Sequence, residues 1–155
     1  MGSDLPAQPK NARSPRFLVW AAKDPNGANL DRVQVVKVWL DGGQQRERVF
    51  DVVASNGRRA DPRTGKIPAV GNTVDLKTGS YRNNIGAVQL ATQWVDPTFN
   101  PAQAAVYYVR VLEIPTPRWS TILAARYQLP LPQNSPATLQ ERAWSSPIWF
   151  TPEQR

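Results

Sequence analysis

Residues 104–119 read AAVYYVRVLEIPTPRW, the longest β-type run in the chain. Side chains alternate across a strand. Val106, Tyr108, Arg110, Leu112 and Ile114 therefore point one way, and Tyr107, Val109, Val111 and Glu113 the other. Both faces are mostly apolar, which predicts a central strand packed on each side. Pro115 and Pro117 end it, because neither has an amide hydrogen to give a ladder.

Shorter runs of the same kind flank this strand. FLVWAAK, Phe17 to Lys23, reads as the first strand. In RVQVVKVWLD, Arg32 to Asp41, Val33 and Val35 share one phase while Val36, Val38 and Leu40 share the other. That slip predicts a bulge at Val35-Val36 or a strand buried on both faces. Gly42-Gly43 turns the chain, and RERVFDVVAS, Arg46 to Ser55, returns as the second arm of a hairpin. A polar loop follows over residues 56–71. Alternation predicts a half-exposed strand over Asn72 to Arg82. Gly86 to Asp96 fits a strand, with a short helix competing. After Pro117 the spacing of Ile122, Leu123 and Arg126 predicts a short helix over Arg118 to Gln128. TLQERA, Thr138 to Ala143, is read as one helical turn, and SPIWFT, Ser146 to Thr151, as a last strand.

About seven short strands separated by turns predict a mainly β fold. The architecture expected is an antiparallel β-sandwich, immunoglobulin-like in outline, with a helical excursion before the last strand. Residues 1–16 read as a flexible leader or linker, 17–152 as the sandwich domain and 153–155 as a tail. The first 16 residues lack the apolar segment of a signal peptide, and the compartment is left open. Trp20, Trp39 and Trp94 lie inside β runs and are read as core. Trp119 and Trp144 lie outside them and are read as surface or interface residues.

Composition removes several chemistries. The chain has no histidine and no cysteine. It cannot by itself build a Ser-His-Asp triad, a Cys-His dyad, or a zinc site with His or Cys ligands. No window is long and apolar enough to span a membrane. The net charge is +7, and 14 of the 19 basic residues are arginine. They are scattered, with Arg58-Arg59 as the tight doublet, so a solvated basic surface or one docked on an acidic neighbour fits better than a nucleic-acid site. The loop DPNGANLD carries Asp24, Asn26, Asn29 and Asp31, four side chains able to supply oxygens to a metal. Their spacing is not that of an EF-hand, and such residues are ordinary turn formers. The pairs Asp51 with Glu47 and Asp24 with Asp31 read as surface carboxylates. No cofactor is expected in this chain.

The C-terminal run YYVRVLEIPTPRWSTILAARYQLPLP, followed by PATLQERAWSSPIWFTP, resembles the C-terminal region of the domain-of-unknown-function 3604 family. KDPNGANLDRVQVVKVWLD, VFDVVASNGR, VGNTVDLKT and IGAVQLATQWVDPTFNPAQAAVYYVRVLE fit the same region in the same order, so the resemblance covers about residues 17–152. Larger members of that family look like metal-dependent hydrolases of the polymerase-and-histidinol-phosphatase superfamily. Their metal ligands lie in an N-terminal α/β domain and map onto nothing here. The resemblance thus implies a non-catalytic accessory domain. Its expected partner is an N-terminal catalytic domain, with self-association as a further possibility. Ligand or domain-interface candidates are Arg118 and Trp119 in the PTPRW turn, and Gln140, Glu141, Arg142 and Trp144 in QERAW. The alternative role for Arg118, Glu141 and Arg142 is a structural ion-pair cluster. A free-standing basic, tryptophan-bearing module for a polyanion or glycan is the alternative function, and a stand-alone enzyme a third.

Overall fold

The structure is a computed structural model that describes residues 2–6 and 13–152. The expectations for residues 1 and 7–12 of the leader and for the tail 153–155 lie outside the described residues. Among the described residues, ten strands and one α-helix follow in order: β1 Ser3–Asp4, β2 Arg16–Ala22, β3 Leu30–Asp41, β4 Gln44–Ala54, β5 Gln89–Val95, β6 Ala105–Glu113, β7 Thr116–Pro117, α1 Trp119–Tyr127, β8 Thr138–Leu139, β9 Arg142–Trp144 and β10 Ile148–Phe150.

The fold is mainly β and sandwich-like. The larger sheet runs β1-β10-β6-β3-β4, with β9 pairing the other end of β6. As the AAVYYVRVLE run predicts, β6 is central, antiparallel to β3 along one side and to β10 and β9 along the other. The second sheet is the antiparallel pair β2-β5, and β7-β8 form a third short ladder. The Gly42-Gly43 turn joins β3 to β4 as expected, with both glycines at positive φ.

Apolar side chains fill the space between the two main sheets. Val19 and Leu90 from the β2-β5 pair meet Val33, Val53, Val109 and Val111 of the larger sheet. Val35, Ala105 and Tyr107 form a second cluster with Phe17, Trp39, Trp94 and Phe150. Leu5 also packs there, and its amide donates to the Trp149 carbonyl at 2.7 Å, so part of the segment before residue 17 is built onto the sheet.

Four local expectations are corrected. Trp20 is 70% exposed rather than core. Phe17, Val19 and Ala21 take the inner phase of β2, and in an all-apolar run the sequence does not choose between phases. The bulge lies at Val33/Gln34 opposite Val52, not at Val35-Val36. Val35 and Val36 are both buried on opposite faces, the other reading of the slip. Residues 72–82 form turns closed by a lone bridge, Asp75↔Ser80, not a strand. Asn72 and Asp75 accept amides two residues on, and such local bonds compete with a ladder. Gly79, at φ +64°, sits where a Cβ would lie 2.9 Å from the Ile122 Cα, so this turn packs on α1. Finally, residues 138–143 enter two strands rather than a helical turn, because Thr138 pairs with Pro117 and Arg142 with Leu112.

Candidate functional site

The outer face of the larger sheet, away from β2-β5, is where the sequence-level candidates meet unexpected neighbours. Directly paired residues share a face. One row across the sheet therefore reads Asp51, Gln34, Arg110, Trp144, over β4, β3, β6 and β9. The rows on one side are mostly apolar, with Val49, Val36 and Tyr108, then Val38, Val106 and Trp149 beside Glu47 at the β4 edge. Leu40, Val49, Trp144 and Trp149 all remain open to solvent there.

On the other side lies a hydrogen-bonded polar network centred on Asp31, which is 2% exposed. One Asp31 carboxylate oxygen accepts from Arg58 Nη2 at 2.5 Å. The other accepts from Arg32 Nε at 3.1 Å and Gln140 Nε2 at 2.9 Å. A buried carboxylate needs such partners, since unpaired burial of the charge would cost several kcal/mol, roughly. Arg32 Nη1 also donates to Asp51 at 3.2 Å, Gln34 Nε2 to the other Asp51 oxygen at 2.7 Å, and Arg110 Nε to Gln34 Oε1 at 2.7 Å. Both Arg32 and Arg58 donate to the Pro68 carbonyl, which fastens the 56–71 loop at this end of the sheet.

The candidates distribute unevenly. Gln140 joins the network and also donates to the Glu113 carbonyl at 2.8 Å. Arg142 and Trp144 are exposed on β9, opposite Leu112 and Arg110. Glu141 is exposed, and its carbonyl accepts the Glu113 amide at 3.0 Å. Burial, then the Glu141 charge, raises the Glu113 carboxyl above its ordinary value. Arg118 and Trp119 stand elsewhere, at the start of α1. The Arg118 carbonyl opens the helix by accepting from Thr121 and Ile122, and Trp119 is exposed. Among the described residues no ion pair joins Arg118, Glu141 and Arg142. The excursion is held instead by Gln140 and by backbone bonds such as Arg118 to Ala137 at 3.0 Å.

The Asx loop is closed by protein groups. Lys23 Nζ donates to the Asp24, Pro25 and Gly27 carbonyls, each at 2.9 Å. Asp24 accepts the Asn26 amide, and Asn29 Nδ2 donates to the Asn83 and Ile85 carbonyls. Asp31 is taken by the arginines. Among the described residues no three His, Cys, Asp or Glu side chains group to hold a metal ion. No described helix is long and apolar enough to cross a membrane.

Sequence reading missed Gln34, Asp51, Arg58 and Arg110 as members of one network. A charge inside an apolar strand was the available signal, since such residues are buried only when paired. Arg110 in VYYVRVLE and Lys37 in RVQVVKVWLD both carry it.

A family model described as "Protein of unknown function (DUF3604)" matches residues 1–152. No curated protein and no solved structure gave a match.

Proposed function

Because the chain belongs to the DUF3604 family, we propose that it is a non-catalytic accessory β-sandwich domain that packs against the hydrolase-like portion of a longer protein. The observation that carries this reading is the outer face of the larger sheet. It leaves Trp149 51% exposed at the end of an apolar row and Trp144 59% exposed at the end of the polar row, beside a network of oriented arginines. An exposed apolar patch rimmed by polar groups is the mark of an interaction surface. The absence of histidine and cysteine from the sequence agrees with chemistry located elsewhere.

The test compares this chain with the longest natural reading frame that contains it. Oxidative footprinting of tryptophans is expected to label Trp144 and Trp149 in the chain alone and to spare them in the longer protein. Equal labelling in both would remove the docked role. Hydrolysis of phosphomonoesters by the chain alone, with added divalent metal, would remove the non-catalytic one. A free-standing module for a polyanion or glycan is the second reading, favoured by Trp20 exposed on the outer side of the β2-β5 pair. It requires saturable binding to heparin or an oligosaccharide, weakening with salt for the polyanion.

A further inference from the structure

We infer that Arg110 is the anion-receiving residue of the outer face, and that its ligand is a carboxylate carried by the polypeptide docked there; this rests on the accessory-domain reading above. Arg110 is half-buried on the central strand. Its Nε is committed to Gln34, Gln34 is held by Asp51, Asp51 by Arg32 and Arg32 by the buried Asp31. This relay fixes the guanidinium plane. Among the described residues the two terminal nitrogens have no acceptor, and no carboxylate lies within ion-pair distance of Arg110 or Arg142. Arg32 and Arg58, the other arginines of the network, each have an aspartate. Arg110 is the member that is oriented and left without its anion.

The surroundings define the ligand. Trp144 stands beside Arg110 across the β6-β9 pair, and Arg142 lies diagonally from it on the same face. Directly paired side chains on one face lie within reach of each other, so a group bound at Arg110 also meets the Trp144 indole. The terminal nitrogens of an oriented arginine match the two oxygens of a carboxylate. A phosphate could be met the same way, but the occupant of this face is a polypeptide, which brings Asp and Glu carboxylates. The neighbouring amides of β6 serve the ladders to β3 and β9, so no nest of free amides is present to favour phosphate.

The test reads the arginine side-chain Nε–H signals of this chain by ¹⁵N NMR, with sodium acetate, sodium phosphate or sodium chloride added at matched ionic strength. The Arg110 signal is expected to move saturably with acetate, at least threefold more tightly than with phosphate. Gln34→Ala is expected to weaken acetate binding about threefold or more with the backbone spectrum retained, because orientation is lost while the charge stays. Arg110→Gln is expected to abolish it. A response matched by chloride, no saturation, or an unchanged affinity in Gln34→Ala would overturn the inference. Tighter phosphate binding would replace the carboxylate with a free phosphate and overturn it too. In the longer protein, Arg110→Gln is expected to restore labelling of Trp144. If Trp144 is protected in the unmutated longer protein and stays protected in the variant, docking stands and the inference falls. If Trp144 is unprotected from the start, the accessory-domain reading is what fails.

Discussion

Lys37 is a charge placed in a strand of valines. It is 3% exposed, and its ammonium lies 2.6 Å from an Asp96 carboxylate that is fully buried. It also donates to the Thr98 carbonyl at 2.8 Å. Asp96 in turn accepts the Tyr107 hydroxyl at 2.8 Å, the Thr98 amide at 2.8 Å and the Thr98 hydroxyl at 2.9 Å. Removing one partner strands the other in the core, so Lys37→Met is expected to lose about 3–5 kcal/mol in denaturant unfolding. A loss no larger than that of a surface substitution would mean that the pair is solvated. Burial pushes Asp96 up, but the Lys37 bond, the Thr98 amide and the Tyr107 hydroxyl outweigh it, and the carboxyl ends below its ordinary 3.8. A depressed carboxyl stabilises the fold above its unfolded value and loses that contribution as pH falls through the folded one. The Asp96 contribution is therefore intact above its ordinary 3.8 and disappears in stronger acid. Glu113 has the opposite sign. Burial and then Glu141 raise it above its ordinary 4.5, so its ionised form opposes folding at neutral pH. Glu113→Gln is expected to raise the melting temperature at pH 7 by about 1–3 °C, the shift that less than ~1 kcal/mol gives a domain of this size. The gain should shrink as pH falls toward the ordinary 4.5, and a gain independent of pH would point away from the charge.

At the scale of elements, β4 is the exposed edge of the larger sheet, 11 residues long. Unpaired edges invite another strand. Here the edge carries Arg46, Glu47 and Arg48 in succession. A two-fold antiparallel pairing keeps each face continuous, so residues of the same phase meet. Centred on Glu47, it sets Glu47 against its own copy and Arg46 against Arg48. Centred on either arginine, it sets that arginine against itself. Like charges directly opposite destabilise a pair, so the sequence guards this edge against self-pairing. Changing the three together, Arg46→Val, Glu47→Thr and Arg48→Val, is expected to produce concentration-dependent association in sedimentation velocity. A variant that sediments like the parent would show that something other than charge protects the edge. The elements themselves were unevenly legible. The β3-β4 hairpin, β6, α1 and β10 follow from apolar runs bounded by Gly and Pro, where local preference and tertiary environment agree. Residues 72–82 misled because alternation is also produced by successive Asx turns. The 138–143 stretch misled because its strands exist through distant partners, Pro117 and Leu112, which no local pattern announces. For the same reason Gln140, Arg142 and Trp144 were found as candidates while Arg110, Gln34 and Asp31 were not joined to them.

For the whole molecule, the two faces of the larger sheet are stabilised by different things. The inner face is covered by β2-β5, while on the outer face Leu40, Val49, Trp144 and Trp149 stay open to solvent. Equivalent truncations should therefore have unequal costs. Leu30→Ala, in the cluster packed between the two sheets and 3% exposed, is expected to cost about 2–5 kcal/mol, the transfer term plus the cavity left behind. Trp149→Ser, although it deletes a larger side chain, removes one that is half-exposed on the outer face. In this chain it is expected to cost about 1 kcal/mol or less, the range of a cross-strand contact with Val106. The larger truncation thus has the smaller effect as long as the face is bare. Covering that face reverses the order. In a longer protein that docks there, the same indole becomes a buried contact, and Trp149→Ser should cost about 3–5 kcal/mol, as aromatic truncations in cores do. Thermal and denaturant unfolding of the four proteins, each substitution in each length, measures this directly. A Trp149→Ser cost that stays the same in both lengths would place the docking surface on another face. The exposed indoles of Trp20 on β2 and Trp119 on α1 would then be the next positions to truncate.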